Sequence, residues 1–304
     1  MHEVWFQATE NCNLKCGHCA YNFGPGGETA SEDTVEAVVE ALPKDTFSFS
    51  LTGGEIFTRK QILVHALAYA AVMREERFPN AKLALQTNGY WVDNPEETFE
   101  RMRTLFELGL DFLCFSGNDK YHEEHDIDTS KLRFDPKIIA DSVRNSSNST
   151  SILETAYLKM LATYGIDSFP SSFYVLSSGI DKGVYPVGRA KHLPSEELNM
   201  HSVCDITRNQ TNGRSELLVD VRGDVHMCIW KIPPPIGSVH DAPIDVLVED
   251  AMKKPIYSIL ALGGPEMLAK VFGLYEQSDI QDMFYRFSPC YMCEQVFAKL
   301  AEKS

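Results

Sequence analysis

Short apolar or alternating runs trade places with amphipathic helical stretches through the first two-thirds of the chain. The runs predict strands over 4–9 (VWFQAT), 47–52 (FSFSLT), 82–88 (KLALQTN), 110–116 (LDFLCFS), 172–177 (SFYVLS) and 184–188 (VYPVG). Helical periodicity fills 31–42, 59–76, 95–108 and 151–164, and the first of these opens with Ser31, Glu32 and Asp33, a side-chain cap followed by an acidic turn. Strands that alternate with helices pair in parallel, because the crossover returns the chain to the same end of the sheet. The expected fold class is therefore α/β, barrel-like, with functional loops at the carboxyl ends of the strands. One connection breaks the pattern: SGIDKG, between the fifth and sixth strands, is too short for a crossover helix and reads as a hairpin or a truncated unit. The polar run 144–151 reads as a loop before a helix.

Beyond residue 200 the texture changes. Residues 214–228 read as a β-hairpin turning at Arg222-Gly223-Asp224, followed by a proline-rich stretch and helices near 244–253, 265–274 and 278–286. This divides the 304 residues into a main domain, 1–200, and a smaller α+β domain, 201–304.

Composition narrows the class. A hydrophobic content of 44% with 23% charged residues excludes disorder, and a net charge of −15 argues against nucleic acid or an anionic membrane as partner, since both reward basic patches. No charged n-region and apolar h-region open the chain, and the longest apolar stretch, 62–73, is too short to span a bilayer, so a cytoplasmic location is expected. The glycosylation-type triplets at Asn145, Asn148 and Asn209 are then coincidental, and the eight cysteines suit metal binding better than disulfides.

Three of those cysteines, Cys12, Cys16 and Cys19, lie at C-x3-C-x2-C spacing directly behind the first strand. Three thiolates can hold three irons of a [4Fe–4S] cubane and leave the fourth iron open to another ligand; zinc with His18 as a further ligand, or a redox pair, are the alternatives. The second strand closes on LTGGEIF, in which Gly53 and Gly54 permit close backbone approach to a ligand and Glu55 offers a carboxylate to an ammonium group. In the second region Cys204, Cys228, Cys290 and Cys293 form a four-ligand set, closed around a cluster or a zinc ion. Cys114 is the one cysteine left over, and as a strand residue it reads first as a small buried hydrophobe.

The segment CNLKCGHC (12–19) resembles the signature loop of the radical S-adenosylmethionine (SAM) superfamily, and LTGGEIF (51–57), QTNGY (86–90) and PVGRA (186–190) resemble further segments of it. The resemblance implies a partial (βα)6 barrel in which Cys12, Cys16 and Cys19 hold a SAM-binding [4Fe–4S] cluster. It also implies that His18, Gly53, Gly54, Glu55, Asn88, Ser116 and Arg189 surround SAM. The second cysteine set is similar to the Twitch domain, the short form of the SPASM extension, and implies an auxiliary [4Fe–4S] cluster on Cys204, Cys228, Cys290 and Cys293. Asp119, Tyr121 and His122, after the fourth strand, are expected near SAM ribose or substrate, with a general base among them.

Among radical SAM enzymes the chain resembles peptide or sugar epimerases and the aminocyclitol dehydrogenases of antibiotic biosynthesis. Ile229 follows Cys228 where such peptide epimerases carry an adjacent donor cysteine. The leading expectation is therefore a dehydrogenase that oxidises an alcohol carbon of a polyol or aminosugar, with an epimerase using Cys114 as hydrogen-atom donor second. The implied partners are a small-molecule or short-peptide substrate and a flavodoxin- or ferredoxin-type electron donor. A non-catalytic iron–sulfur scaffold is disfavoured by Glu55 and the open three-cysteine site.

Overall fold

A computed structural model describes residues 1–116, 120–135, 137, 139, 151–165, 174–177, 187–193, 204, 206–207, 215–286 and 288–303. Strands β1 (His2–Thr9), β2 (Thr46–Gly53), β3 (Lys82–Thr87), β4 (Phe112–Phe115) and β5 (Tyr174–Ser177) pair in parallel, each with the next. Helices α1 (Glu32–Glu40), α2 (Lys60–Arg77) and α3 (Pro95–Glu107) connect the first four strands. A single turn, α4 (Lys120–Glu123), and α5 (Ile152–Tyr164) fall between β4 and β5. The mostly parallel α/β architecture is the one expected. Ser31 caps α1 as read, accepting from Thr34 N, and Asn94 and Ser151 do the same for α3 and α5.

Register sorts the strand residues into two faces. Phe6, Leu51, Leu85, Leu113 and Val175 occupy one row across five strands, all of them buried. They pack in one core with Val35, Val38 and Val39 of α1, Leu63, Ala66 and Leu67 of α2, and Phe99, Met102 and Leu105 of α3. Because strand side chains alternate, the neighbouring row of Gln7, Thr52, Gln86 and Cys114 lies on the opposite face, away from the helices. That face is the inside of the partial barrel, and it is polar.

The sheet does not stop at β1. Strand β6 (Ser215–Val219) pairs parallel to β1, with Trp5 opposite Leu218 and Phe6 opposite Val219. Strands β7 (Asp224–His226) and β8 (Gly237–Ser238) follow antiparallel, so one eight-stranded sheet runs in the order β5-β4-β3-β2-β1-β6-β7-β8. The hairpin read at 214–228 is present, but its strand also continues the main sheet, a pairing that no local pattern announces.

Four helices complete the chain: α6 (Ile244–Met252), α7 (Pro255–Val271), α8 (Gln277–Arg286) and α9 (Pro289–Glu302). The helix expected over 265–274 is the second half of α7, which breaks at Gly263 and Gly264, the latter at φ +66°, before Pro265 restarts it. Helix α9 was not anticipated. Ser288 caps it with Pro289 in its first turn, and the helix sets Cys290 and Cys293 one turn apart on one face. The expected sixth strand, 184–188, and the SGIDKG connection lie largely or wholly outside the described residues; Gly188 begins a short 3₁₀ turn, Gly188–His192. Among the described residues no helix is long and apolar enough to cross a membrane.

Candidate active site

The loop after β1 is anchored by backbone and by distant side chains. Cys12 N donates to Gly24 O (3.0 Å) and Cys19 N to Cys16 O (3.3 Å). Arg189 clasps the loop from outside: its Nε donates to Cys16 O and its guanidinium to Phe23 O, both at 2.8 Å, while its own amide donates to Cys19 O (3.0 Å). From the 3₁₀ turn Gly188–His192, Arg189 thus fixes the shape of the three-cysteine loop. Next to it Gly188, at φ +56°, lies so close to the loop that a Cβ would stand 2.2 Å from Ala20 O.

The two glycines of LTGGEIF have a similar task. A Cβ on Gly53 would meet Thr9 O at 2.1 Å and one on Gly54 would meet Asn11 O at 2.3 Å. Gly54 N donates to Thr9 O (2.7 Å) and Glu55 N to Asn11 O (2.9 Å). The close approach these glycines allow is therefore to the backbone that leads into Cys12, which locks the end of β2 to the start of the loop.

Glu55 is fully buried, and its carboxylate accepts from Phe57 N (3.1 Å), Asn88 N (2.7 Å) and Thr87 Oγ1 (2.9 Å). Trp91 Nε1 donates to Thr87 Oγ1 at 2.9 Å, extending the chain of bonds. Burial raises the Glu55 carboxyl to about 7 even against these donors. A carboxylate held with unfavourable desolvation next to a cysteine loop is suited to receive a cation. Asn88 also turns its side chain to the loop, donating to Asn13 Oδ1 (3.0 Å) with Cys12 Sγ 4.0 Å away. Burial pushes the Cys12 thiol up to about 11, so its thiolate requires a positively charged ligand to be stable there.

Three rings stand beside the loop. His18 lies 4.6 Å from Tyr121 and 5.0 Å from His122, centroid to centroid, with Tyr121 and His122 both buried on α4. Ser116, at the end of β4, is tied to Thr87 O through its amide at 2.9 Å. Asp119 lies outside the described residues. Cys114 sits on the inner face opposite Gln86, half-buried, and burial pushes its thiol up to about 11.

The second cysteine set assembles in space. Cys204, Cys228, Cys290 and Cys293 line one small cavity, walled by Ile206, Trp230, Ile232, Pro233 and Pro289. Burial raises the Cys293 thiol well above its ordinary range, and the charges of Cys228, Cys204 and Cys290 add to the rise. Among the described residues no three His, Cys, Asp or Glu side chains gather around a single-ion position. The two cysteine regions touch: Tyr21, two residues after Cys19, donates from its hydroxyl to Ile229 O at 2.5 Å. Lys231, three residues after Cys228, reaches into the barrel mouth, 3.4 Å from Gln7 Oε1, 3.6 Å from Asp220 and 3.8 Å from Glu10.

Thr87, Gln7, Tyr21 and Lys231 escaped the sequence reading. Only Gln7 carried a local signal, a lone amide inside the otherwise apolar VWFQAT at the same strand parity as Trp5.

Residues 6–135 match the family model described as the Radical SAM superfamily. No curated protein sequence matches the chain. Among solved structures, BtrN in complex with AdoMet and 2-DOIA is similar at 15% identity and a TM-score of 0.50, covering 86% of this chain and 88% of that one. Native anSMEcpe with bound AdoMet is similar at 15% identity and a TM-score of 0.44, covering 99% of this chain and 96% of that one. Streptococcus suis SuiB bound to precursor peptide SuiA follows at 14% identity and a TM-score of 0.39, over 85% and 66%. The likeness to BtrN is one of fold.

Proposed function

We propose that the radical SAM domain this chain carries serves a two-cluster oxidoreductase that oxidises an alcohol carbon of a polyol or aminosugar in natural-product biosynthesis. Residues 1–200 would form the SAM-cleaving barrel and 201–304 a Twitch-type auxiliary-cluster domain, with a flavodoxin- or ferredoxin-type donor supplying electrons. The observation that carries this reading is the convergence of Cys204, Cys228, Cys290 and Cys293 on one cavity, while Ile229 and Lys231, adjacent in sequence to its lining residues Cys228 and Trp230, bond to Tyr21 and to Gln7 of the N-terminal region. Bound, the SAM-ligated cluster supplies a radical that takes a hydrogen atom from carbon, and the auxiliary cluster supplies an electron acceptor.

The chain's own residues provide the setting. Cys12, Cys16 and Cys19 would hold the first cluster, on a loop shaped by Arg189, Gly188, Gly53 and Gly54. Glu55 would face the SAM ammonium, Asn88 and Ser116 would border the same pocket, and His18, tilted against Tyr121 and edge-on to His122, would flank the adenine. Within reach of the substrate, Tyr121 or His122 would take the proton that leaves the alcohol, a role shared in the sequence reading with Asp119.

The buried charge of Glu55 makes SAM binding depend on pH. The folded carboxyl of Glu55 holds its proton up to about 7, against 4.5 for a free carboxyl, and only its ionised form attracts an ammonium. SAM affinity, measured by equilibrium dialysis on the reconstituted protein, should therefore rise as pH increases from about 6 to about 8. Glu55→Ala should weaken binding about tenfold or more at the upper end of that range and flatten the profile, while iron content stays unchanged. Equal affinity and equal slope in the variant would refute the ammonium role.

Cys114 gives a second reading its footing. A hydrogen-atom donor must keep its S–H, and a thiol raised to about 11 on the inner face of the barrel does so at neutral pH. The two outcomes separate by mass. Oxidation should give a product lighter by about two mass units with one 5′-deoxyadenosine each, since the alcohol loses two hydrogens. Inversion should leave the mass unchanged in ordinary water and add about one unit in heavy water, because a thiol exchanges with solvent before donating. A deuterated product of otherwise unchanged mass that disappears in Cys114→Ala would replace dehydrogenase with epimerase.

A further inference from the structure

Gln7 is completely buried on the inner face of the barrel, and its amide is only half satisfied. The Lys231 ammonium, 3.4 Å away, stands against Oε1; a cation cannot face an NH2 group, so charge fixes which way the amide points. The Nε2 group is left without a hydrogen-bond partner. Two residues earlier on the same face, Trp5 Nε1 is buried and equally without one. Across the same row Thr52 Oγ1 donates to Gln86 Oε1 (3.0 Å), and Cys114 follows. Lys231 itself adopts φ +56°, an uncommon conformation for a residue with a side chain, and such conformations concentrate at functional sites. Its charge is already balanced by Glu10 and Asp220, which leaves no net attraction for an anion. Burial works to raise the Asp220 carboxyl, but His226, the Arg222 amide and Lys231 outweigh it and hold it well below the usual range, so that balancing charge persists.

We infer that Gln7 is a substrate-specificity residue: its Nε2, with Trp5 Nε1 beside it, donates to oxygens of a neutral, multiply hydroxylated substrate lying across the row from Gln7 to Cys114, and Lys231 is the positioning residue that aims the amide. The inference rests on the oxidoreductase reading for the location of the substrate, and it narrows that reading's polyol or aminosugar to a neutral substrate whose hydroxyl oxygens accept from Gln7. An unmade hydrogen bond in the free protein is a cost that the correct substrate removes and a deoxygenated analogue does not, which is how a buried donor selects.

The test uses the reconstituted, SAM-bound protein without reductant, with myo-inositol and cyclohexanol as probes and tryptophan fluorescence as readout. Wild type should bind myo-inositol saturably and at least about tenfold more tightly than cyclohexanol. Gln7→Met should lose that preference and should melt no lower than wild type, because a similar apolar volume replaces an unsatisfied donor. Gln7→Glu, which turns the donor into an acceptor beside Lys231, should also lose myo-inositol binding. Lys231→Met should weaken binding several-fold, and Lys231→Arg should restore most of it, since either cation orients the amide. A Gln7→Met protein that melts several degrees below wild type would mark a structural bond and overturn the proposal. So would retained binding in both Gln7 variants, or wild type that binds cyclohexanol as well as myo-inositol. Formation of 5′-deoxyadenosine by wild type with dithionite is assayed separately, so that failure of the radical reading and failure of this one are distinct results.

Discussion

Replacing Cys12, Cys16 and Cys19 together by alanine should abolish SAM cleavage and halve the iron of the anaerobically reconstituted protein, from about eight to about four atoms per chain. The remaining iron should persist because the other four cysteines line a cavity of their own, bounded by Ile206, Trp230 and Pro289 rather than by the N-terminal loop. Alanine at Cys290 and Cys293 should give the complementary result: the second set of irons lost, with 5′-deoxyadenosine still formed in the absence of substrate. Iron and sulfide analysis with electron paramagnetic resonance would read both. Wild type containing about four irons and one zinc would place zinc in the four-cysteine cavity and remove the electron acceptor that the dehydrogenase reading requires.

Gly188→Ala should be among the most damaging single substitutions outside the cysteines. Two effects add there: a left-handed φ of +56° and a Cβ that would stand 2.2 Å from Ala20 O and 2.7 Å from Cys19 O, backbone atoms that cannot step aside without moving the loop. Gly273 separates the two effects, since its φ is +55° and no atom lies within 4 Å of the position a Cβ would take. Gly273→Ala should cost about 1 kcal/mol, the conformational term alone. Gly188→Ala should cost about 3 kcal/mol or more and also lower the iron bound at the N-terminal site, because the loop that moves carries Cys16 and Cys19. Denaturant unfolding and iron analysis of the two variants check this; equal costs would mean that Gly188 is not wedged against the loop.

Much of this chain is legible locally. The apolar runs marked β1 to β4 to within about two residues, and Ser31 and the βα alternation pointed to a parallel sheet with helices on one face. The spacing of Cys12, Cys16 and Cys19 and the GGE segment pointed to the chemistry, because a ligand set on a short loop is written almost entirely in adjacent residues. Helix α9 was lost for an instructive reason: Cys290 and Cys293 were read only as members of a four-ligand set, whereas a three-residue separation is also nearly one helical turn, and the Ser288-Pro289 start was the stronger signal.

What the chain alone could not decide were properties that exist only between distant segments. The face on which Cys114 lies depends on its pairing with Gln86, and a shift of one residue would reverse it, so composition within LDFLCFS is silent. Gly53, Gly54 and Gly188 are glycines for the sake of backbone more than forty residues away in the first two cases and farther still in the third, as the contacts with Thr9, Asn11 and Ala20 show. The parallel pairing of β6 with β1 brings Lys231 to Gln7 across the junction between the two regions of the chain. Local periodicity determined which segments would be strands and helices and which loop could hold metal. Long-range packing alone determined which side chains face inward, and which buried donors, Gln7 Nε2 and Trp5 Nε1 among them, are left without a partner.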